Sequence, residues 1–222
     1  MYKIALDGPS GSGKSVMARA VSKQLNILYV DTGALYRAIG LYMFRNEIDV
    51  SDSEKVISNL KNINLELAQS EEGQVVLLNG ENVNKDIRLP EISMYASKVS
   101  AIPKVREFLL DIQRNTAKKN NVIMDGRDIG TVIFPDAEVK IFLFASDEIR
   151  AQRRYKELIE KGIETTYEEV LSDMLKRDEN DRNRAVAPAV PADDAVMLDS
   201  SYLNIDQTIS EIIRIIREKI NL

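Results

Sequence analysis

Short apolar runs at 3–6, 27–30, 122–124, 139–144 and 195–198 alternate along the chain with segments whose apolar residues recur at helical spacing. Those helical segments cover 14–25, 34–45, 53–61, 104–118, 147–161, 167–184 and 206–220. The last carries a wide stripe of Ile209, Ile212, Ile213, Ile216 and Ile220, the mark of a helix laid on a core. Apolar runs without polar alternation predict strands buried on both faces, so the pattern predicts an α/β fold with a five-stranded parallel sheet covered by helices on both sides. Ligands of such sheets bind beyond the carboxyl ends of the strands. Residues 63–85 break the alternation. Ile63-Asn64-Leu65-Glu66-Leu67 and Gln74-Val75-Val76-Leu77-Leu78, with turn signals at Glu72-Gly73 and Asn79-Gly80, predict an inserted antiparallel hairpin. The stretch 185–192 holds Pro188 and Pro191 and is predicted to be extended.

The first strand runs directly into Gly8-Pro9-Ser10-Gly11-Ser12-Gly13-Lys14-Ser15, which fits the phosphate-loop pattern G-x-x-x-x-G-K-[ST]. Its glycines let successive backbone N–H groups converge on phosphate oxygens. Lys14 supplies a charge for the β- and γ-phosphates, and the Ser15 hydroxyl can ligate Mg²⁺. The helix that follows turns its positive N-terminus to the same anion. A nucleoside triphosphate is therefore the expected ligand.

Composition narrows the chemistry. The 222-residue chain contains neither cysteine nor histidine, which excludes disulfides, thiolate metal sites and histidine-based triads. Phosphoryl transfer is left open, because it rests on positioning and electrostatics that lysine, arginine, carboxylates and Mg²⁺ supply. The net charge of −5 argues against a nucleic-acid polymer as partner. Yet Arg150, Arg153, Arg154, Arg177, Arg182 and Arg184 crowd into one region, as a pocket for a small anion would require. With no basic-then-apolar leader and no apolar stretch of about 18 residues, the expectation is a soluble cytoplasmic protein with no membrane partner. A monomer is expected.

Three further constellations stand out. The second strand ends in Asp31-Thr32-Gly33-Ala34-Leu35-Tyr36-Arg37; Asp31 or Thr32 equally fits a helix N-cap. The third ends in Asp125-Gly126-Arg127-Asp128, where Asp125 can hold Mg²⁺ directly or through water and Arg127 offers a planar fork for a phosphate. On the helix over 167–184, Arg177, Asp181 and Arg184 are spaced to share a face, as an ion-pair ladder or as a helix that closes over a substrate. The run from Arg177 to Arg184 has no apolar residue, which predicts that it does not pack on a core.

With these motifs in order, together with Ile129-Gly130-Thr131 after Asp128 and Pro188 after Arg184, the chain closely resembles the bacterial cytidylate kinases from residue 3 to about 217. The resemblance implies a nucleoside monophosphate kinase fold forming one kinase domain. Its core would lie at about 1–60, 104–147 and 185–222, a monophosphate-binding insertion at about 61–103 and a helical lid at about 148–184. It implies transfer of the γ-phosphoryl of ATP to CMP or dCMP, with Mg²⁺. Gly8 to Ser15 would hold ATP, with Arg150, Arg153 and Arg154 on the donor or lid side and Arg153 chosen among them. Arg37, Arg127 and Arg184 would hold the acceptor phosphate, with Thr32 and Tyr36 beside the acceptor. Arg177 and Asp181 would lie at the sugar, and Ser97, Arg106 and Asp128 would read cytosine. Lys14, Arg127, Asp128 and Arg184 would be the catalytic set, and Ser15 and Asp125 the metal ligands. A kinase for UMP, AMP or a shikimate-like acceptor, and a nucleotide-dependent switch, are the competing readings; the chain lacks the Asn-Lys-x-Asp guanine-reading motif of many switches.

Overall fold

The structure, a computed structural model, describes residues 1–70, 73–118 and 120–220. The chain divides into two compact units, Met1–Leu28 with Asn121–Leu222, and Tyr29–Asn120. The first boundary falls inside a strand.

All strands of the first unit belong to one five-stranded parallel sheet, whose strand β2 holds the boundary between Leu28 and Tyr29. β1 (Lys3–Asp7), β2 (Leu28–Asp31), β6 (Val122–Gly126), β7 (Val139–Phe144) and β8 (Val196–Asp199) lie in the order β2-β6-β1-β7-β8. β1 sits at the centre, parallel to β6 and β7, with Leu6 opposite Asp125 and Asp7 opposite Gly126. That register brings the start of the phosphate loop and the Asp125-Gly126-Arg127-Asp128 segment to one sheet edge, beyond the carboxyl ends of neighbouring strands. Ile4, Ala5, Leu6, Val122, Ile123 and Met124 are wholly buried, as continuous apolar runs demand of strands covered on both faces. Helix α1 (Lys14–Leu25) packs on β6, and α8 (Ile205–Ile220) packs on α1 and β7. α8 buries Ile209, Ile212, Ile213, Ile215 and Ile216. Helices α6 (Asp147–Glu160) and α7 (Tyr167–Asn183) pack against each other. α7 opens on a full capping box, with Thr166 and Glu169 each bonding the other's backbone, which satisfies two orphan N–H groups. α7 ends one residue before Arg184, whose backbone is extended (φ −64°, ψ 141°). Arg184 is thus a C-cap rather than the last residue of the helical face expected for it.

The second unit holds α2 (Thr32–Arg45), α3 (Ser53–Asn59), the antiparallel sheet β3 (Leu65–Ser70), β4 (Gly73–Leu78) and β5 (Glu81–Asn82), then α4 (Pro90–Ser100) and α5 (Pro103–Thr116). The expected hairpin is present as β3 and β4, with Leu65 opposite Leu78; the expected turn residue Glu72 lies outside the described residues. At the next turn both Asn79 (φ 51°) and Gly80 (φ 84°) have left-handed backbone, which is why Asn-Gly is favoured there. Leu35, Ile39, Met43, Ile87, Ile92, Val99, Val105 and Leu109 form the centre of this unit's own apolar cluster. Gly40 lets α2 and α4 touch: a Cβ there would lie 2.9 Å from the Ala96 nitrogen.

Candidate active site

The phosphate loop folds as its sequence requires. A Cβ on Gly8 would run into the Leu143 carbonyl, so only glycine passes beside β7. Gly13 caps α1 in left-handed conformation (φ 86°) without a side-chain cap, which leaves the first N–H groups of α1 free of such a partner and directed at an anion site. Lys14 is 7% exposed, and its Nζ donates to the Pro9 carbonyl at 2.9 Å. Burial and the nearby Arg127 guanidinium lower Lys14 to about 7 from an ordinary 10.5. The Ser12 hydroxyl is buried with no hydrogen-bond partner among the described residues. Ser10 has both backbone groups engaged sideways, its N–H to Asp178 Oδ1 at 2.8 Å and its carbonyl to Arg150 Nη1 at 2.5 Å.

Beside the loop, Ser15 Oγ donates to Asp125 Oδ2 at 2.6 Å. Two hard oxygen donors in contact suit Mg²⁺, which takes one or two protein oxygens and fills its octahedron with water and phosphate. Asp7, at the end of β1, accepts from the Ile129 and Gly130 N–H groups, both at 2.8 Å. Burial raises Asp7 to about 6, and Asp128 adds to the rise while the two N–H groups oppose it. Those bonds hold a single π-turn over Ile129–Ile133, which fixes the backbone just after Asp128.

The arginines and carboxylates expected from 127 to 184 do converge. Arg127 Nε donates to Asp181 Oδ2 at 3.0 Å. Arg184 Nη1 lies 3.6 Å from Asp181 Oδ1, and its Nη2 lies 3.5 Å from Asp128 Oδ1. Arg184 Nε also bonds the Ala187 carbonyl at 2.5 Å. Arg177 is lowered by burial and by the Arg127 charge, against the pull of Asp181 and Asp178, and its Nε is buried without a hydrogen-bond partner among the described residues. So three guanidinium groups stand close together, with Asp181 and Asp128 offsetting part of their repulsion. Arg153, expected on the donor side, donates from Nη2 to the Ser200 carbonyl at 2.7 Å, just after β8.

The expectation that 177–184 would make no core contact fails at Asp178. Its carboxylate is 7% exposed and pairs with Arg150 Nη1 at 2.5 Å. A polar run can pack inward when each buried charge meets a partner, and hydrophobic patterning cannot register that.

In the second unit, Asp31 caps α2 by accepting from the Ala34 N–H at 3.0 Å. The same carboxylate takes Arg37 Nη2 at 2.9 Å and Arg88 Nη2 at 2.9 Å. Burial pushes Asp31 up, but the Arg37 and Arg88 charges outweigh it and hold the carboxyl below its ordinary range. Gln74 of β4 fixes the Asp31 backbone through its side-chain amide, accepting from the N–H at 2.9 Å. Thr32 is buried in the first turn of α2. The guanidinium of Arg106 lies 5.5 Å from the Tyr36 ring centroid and donates to the Ser100 carbonyl at 3.1 Å. Ser97, one turn before Ser100 on α4, accepts the Ser100 hydroxyl on its carbonyl at 2.8 Å.

The sheet order, the loop and its Lys-Ser pair define a phosphate-loop protein of the nucleoside triphosphate-using class. The sequence model of the cytidylate kinase family matches residues 4–218. The chain belongs to the cytidylate kinase family. A cytidylate kinase of Thermosipho melanesiensis is 46% identical over 99% of this chain and 99% of its own. One of Carboxydothermus hydrogenoformans is 45% identical over 98% of each. Among solved structures, a gluconokinase from Sinorhizobium meliloti 1021 aligns over 99% of this chain and 94% of its own, at 15% identity and a TM-score of 0.49.

Arg88, Asp178 and Asp7 are the functional candidates that sequence reasoning left out. Asp7 carried a usable signal, a carboxylate closing the strand that feeds the phosphate loop. Arg88 carried none.

Proposed function

We propose that the protein transfers the γ-phosphoryl group of ATP to CMP or dCMP, giving ADP and CDP or dCDP for pyrimidine nucleotide metabolism. The observation that carries this reading is the family match across residues 4–218, joined to a phosphate loop whose Ser15 touches Asp125. Asp125 and Ser15 would hold Mg²⁺, which supplies charge neutralisation on the donor phosphates.

The chain's own residues account for the rest. No side-chain base is needed, because the acceptor phosphate is already ionised and nucleophilic; the task is to bring two polyanions together in line. Lys14 is a cation kept marginal by burial and Arg127, and donor phosphates would restore its full protonation. Arg127 and Arg184, oriented by Asp181 and Asp128, are proposed with Arg37 as ligands of the acceptor phosphate, and Arg177 and Asp181 as ligands of the sugar. Their attraction would strengthen as negative charge develops on the transferring group. Thr32 and Tyr36 are proposed beside the acceptor, and Ser97, Arg106 and Asp128 as the cytosine readers. A carboxylate facing the N4 amino donor, with arginine and hydroxyl donors at the ring acceptors, complements cytosine. Uracil would set an oxygen against that carboxylate and leave buried polar groups unpaired.

Among the described residues no helix is long and apolar enough to cross a membrane; a cytoplasmic monomer is part of the proposal. So is the division into core, a monophosphate-binding insertion at about 61–103 and a lid at about 148–184. A coupled ADP-release assay with one acceptor at a time tests the function. CMP and dCMP should give turnover well above AMP and UMP, and equal turnover would remove the cytosine assignment.

A further inference from the structure

Ser10 lies at the tip of the phosphate loop, yet both of its backbone groups are held by buried charges from outside the loop. Asp178 on α7 accepts the Ser10 N–H at 2.8 Å, and Arg150 on α6 donates to the Ser10 carbonyl at 2.5 Å. The two charges pair directly at 2.5 Å, and Arg150 is anchored further by the Ala145 carbonyl at 3.2 Å and by the Asp147 carboxylate. Arg150 is 3% exposed and Asp178 7%. A buried ion pair adds little net stability over well-packed apolar side chains, so stability does not explain why two charges are buried against one peptide. What they do is fix that peptide. Ser10 is preceded by Pro9, whose carbonyl takes Lys14 Nζ at 2.9 Å. It is followed by Gly11, left-handed at φ 71° and packed near Met174 and Arg150. A shift of Ser10 would therefore move the anchor of Lys14.

We propose that Asp178 and Arg150 are positioning residues for phosphoryl transfer, holding the Ser10 peptide so that the loop and Lys14 meet the donor in register. The inference rests on the functional reading above. Ser10 serves the loop as an anchor point, with its N–H committed to Asp178 rather than to phosphate. The same helix carries Asp181, three residues on, which holds Arg127 at 3.0 Å. Residues spaced by three share a helix face, so α7 presents one carboxylate to the donor loop and the next to the arginine cluster.

Two variants test this, each compared with wild type and with Ile216→Val, a core change that lowers stability without touching the loop. Asp178→Asn keeps an oxygen for the Ser10 N–H but removes the buried counter-charge of Arg150 and leaves it the half-exposed Asp147 carboxylate. Arg150→Lys keeps a positive charge but loses the fork that spans Asp178, Ser10 and Ala145. For each, melting temperature, Kd for a non-hydrolysable ATP analogue, kcat, and KM for CMP are measured well below the melting transition. The expected result is a fall in kcat and a weakening of analogue binding, each on the order of ten- to a hundredfold, with KM for CMP within about threefold of wild type and Ile216→Val unaffected on all three. Folded variants with kcat and analogue Kd within about twofold of wild type would overturn the proposal. If Asp178→Asn fails to fold, Arg150→Lys decides by the same criteria; failure of both would make the pair a folding requirement and also overturn it. A wild-type protein that binds no ATP analogue would instead sink the functional reading, which separates the two failures.

Discussion

Replacing Lys14 by methionine exchanges a buried amine for an apolar side chain of similar length, and its effect on stability should depend on pH in a definite direction. Lys14 is held at about 7 instead of 10.5 by burial and by Arg127. The unfolded chain, with its amine back at 10.5, binds more protons than the fold between those values, so this residue's contribution becomes more favourable as pH rises through that window. The full penalty stands below about pH 7 and vanishes above about pH 10.5. At roughly 1.4 kcal/mol per pH unit, the whole effect is on the order of 5 kcal/mol. Lys14→Met removes that penalty but strands the Pro9 carbonyl that Lys14 Nζ bonds at 2.9 Å, at a pH-independent cost of about 1–3 kcal/mol. The pH dependence of the difference is therefore the informative quantity. Denaturant unfolding of both proteins without nucleotide, from about pH 7 to about pH 10, reads it. The variant's stability relative to wild type should fall by about 3–4 kcal/mol across that range. A difference flat to within about 0.5 kcal/mol would refute the account of Lys14 as a cation suppressed by its surroundings. The same variant should lose phosphoryl transfer by at least on the order of a hundredfold.

Asp181→Ala removes the carboxylate that orients Arg127 at 3.0 Å and Arg184 at 3.6 Å; kcat/KM for CMP should fall by about ten- to a hundredfold, and steady-state kinetics with saturating ATP checks it. Asp128→Ala should reduce the ratio of kcat/KM for CMP over UMP more than it reduces turnover with a generic acceptor, which the same assay with both acceptors measures. Gly8→Ala would drive a Cβ into the Leu143 carbonyl, and thermal unfolding followed by circular dichroism should show a loss of about 3 kcal/mol or more.

The alternation of strands and helices was readable because buried strands and amphipathic helices leave different apolar periods, and boundaries fell within a residue or two at α1, α8 and β7. The apolar pattern does not mark helix α4. Ile92, Ala96 and Val99 lie on its buried side, but Met94 and Leu89 are exposed and blur the period; Pro90 at its first position was the available sign. The π-turn over Ile129–Ile133 depends on Asp7, more than a hundred residues away in sequence, and no local pattern encodes such a bond. Helical spacing alone linked Asp181 to Arg184, and only the family resemblance joined Arg127 and Asp128 to them, because no local pattern relates a strand end to a helix about fifty residues on. Asp178 was hidden in the polar run from Arg177 to Arg184. Its burial follows from a pairing with Arg150 that depends on how α6 and α7 pack.

The central claim is that a phosphoryl group leaves ATP for a cytidine monophosphate. Its most direct test uses ATP labelled in the γ-phosphate with CMP, dCMP, UMP and AMP present together at equal concentration, and product separation at early times. Because competing acceptors partition label by kcat/KM, label should collect in CDP and dCDP. Label spread evenly over the diphosphates, or released mainly as inorganic phosphate, would contradict the account.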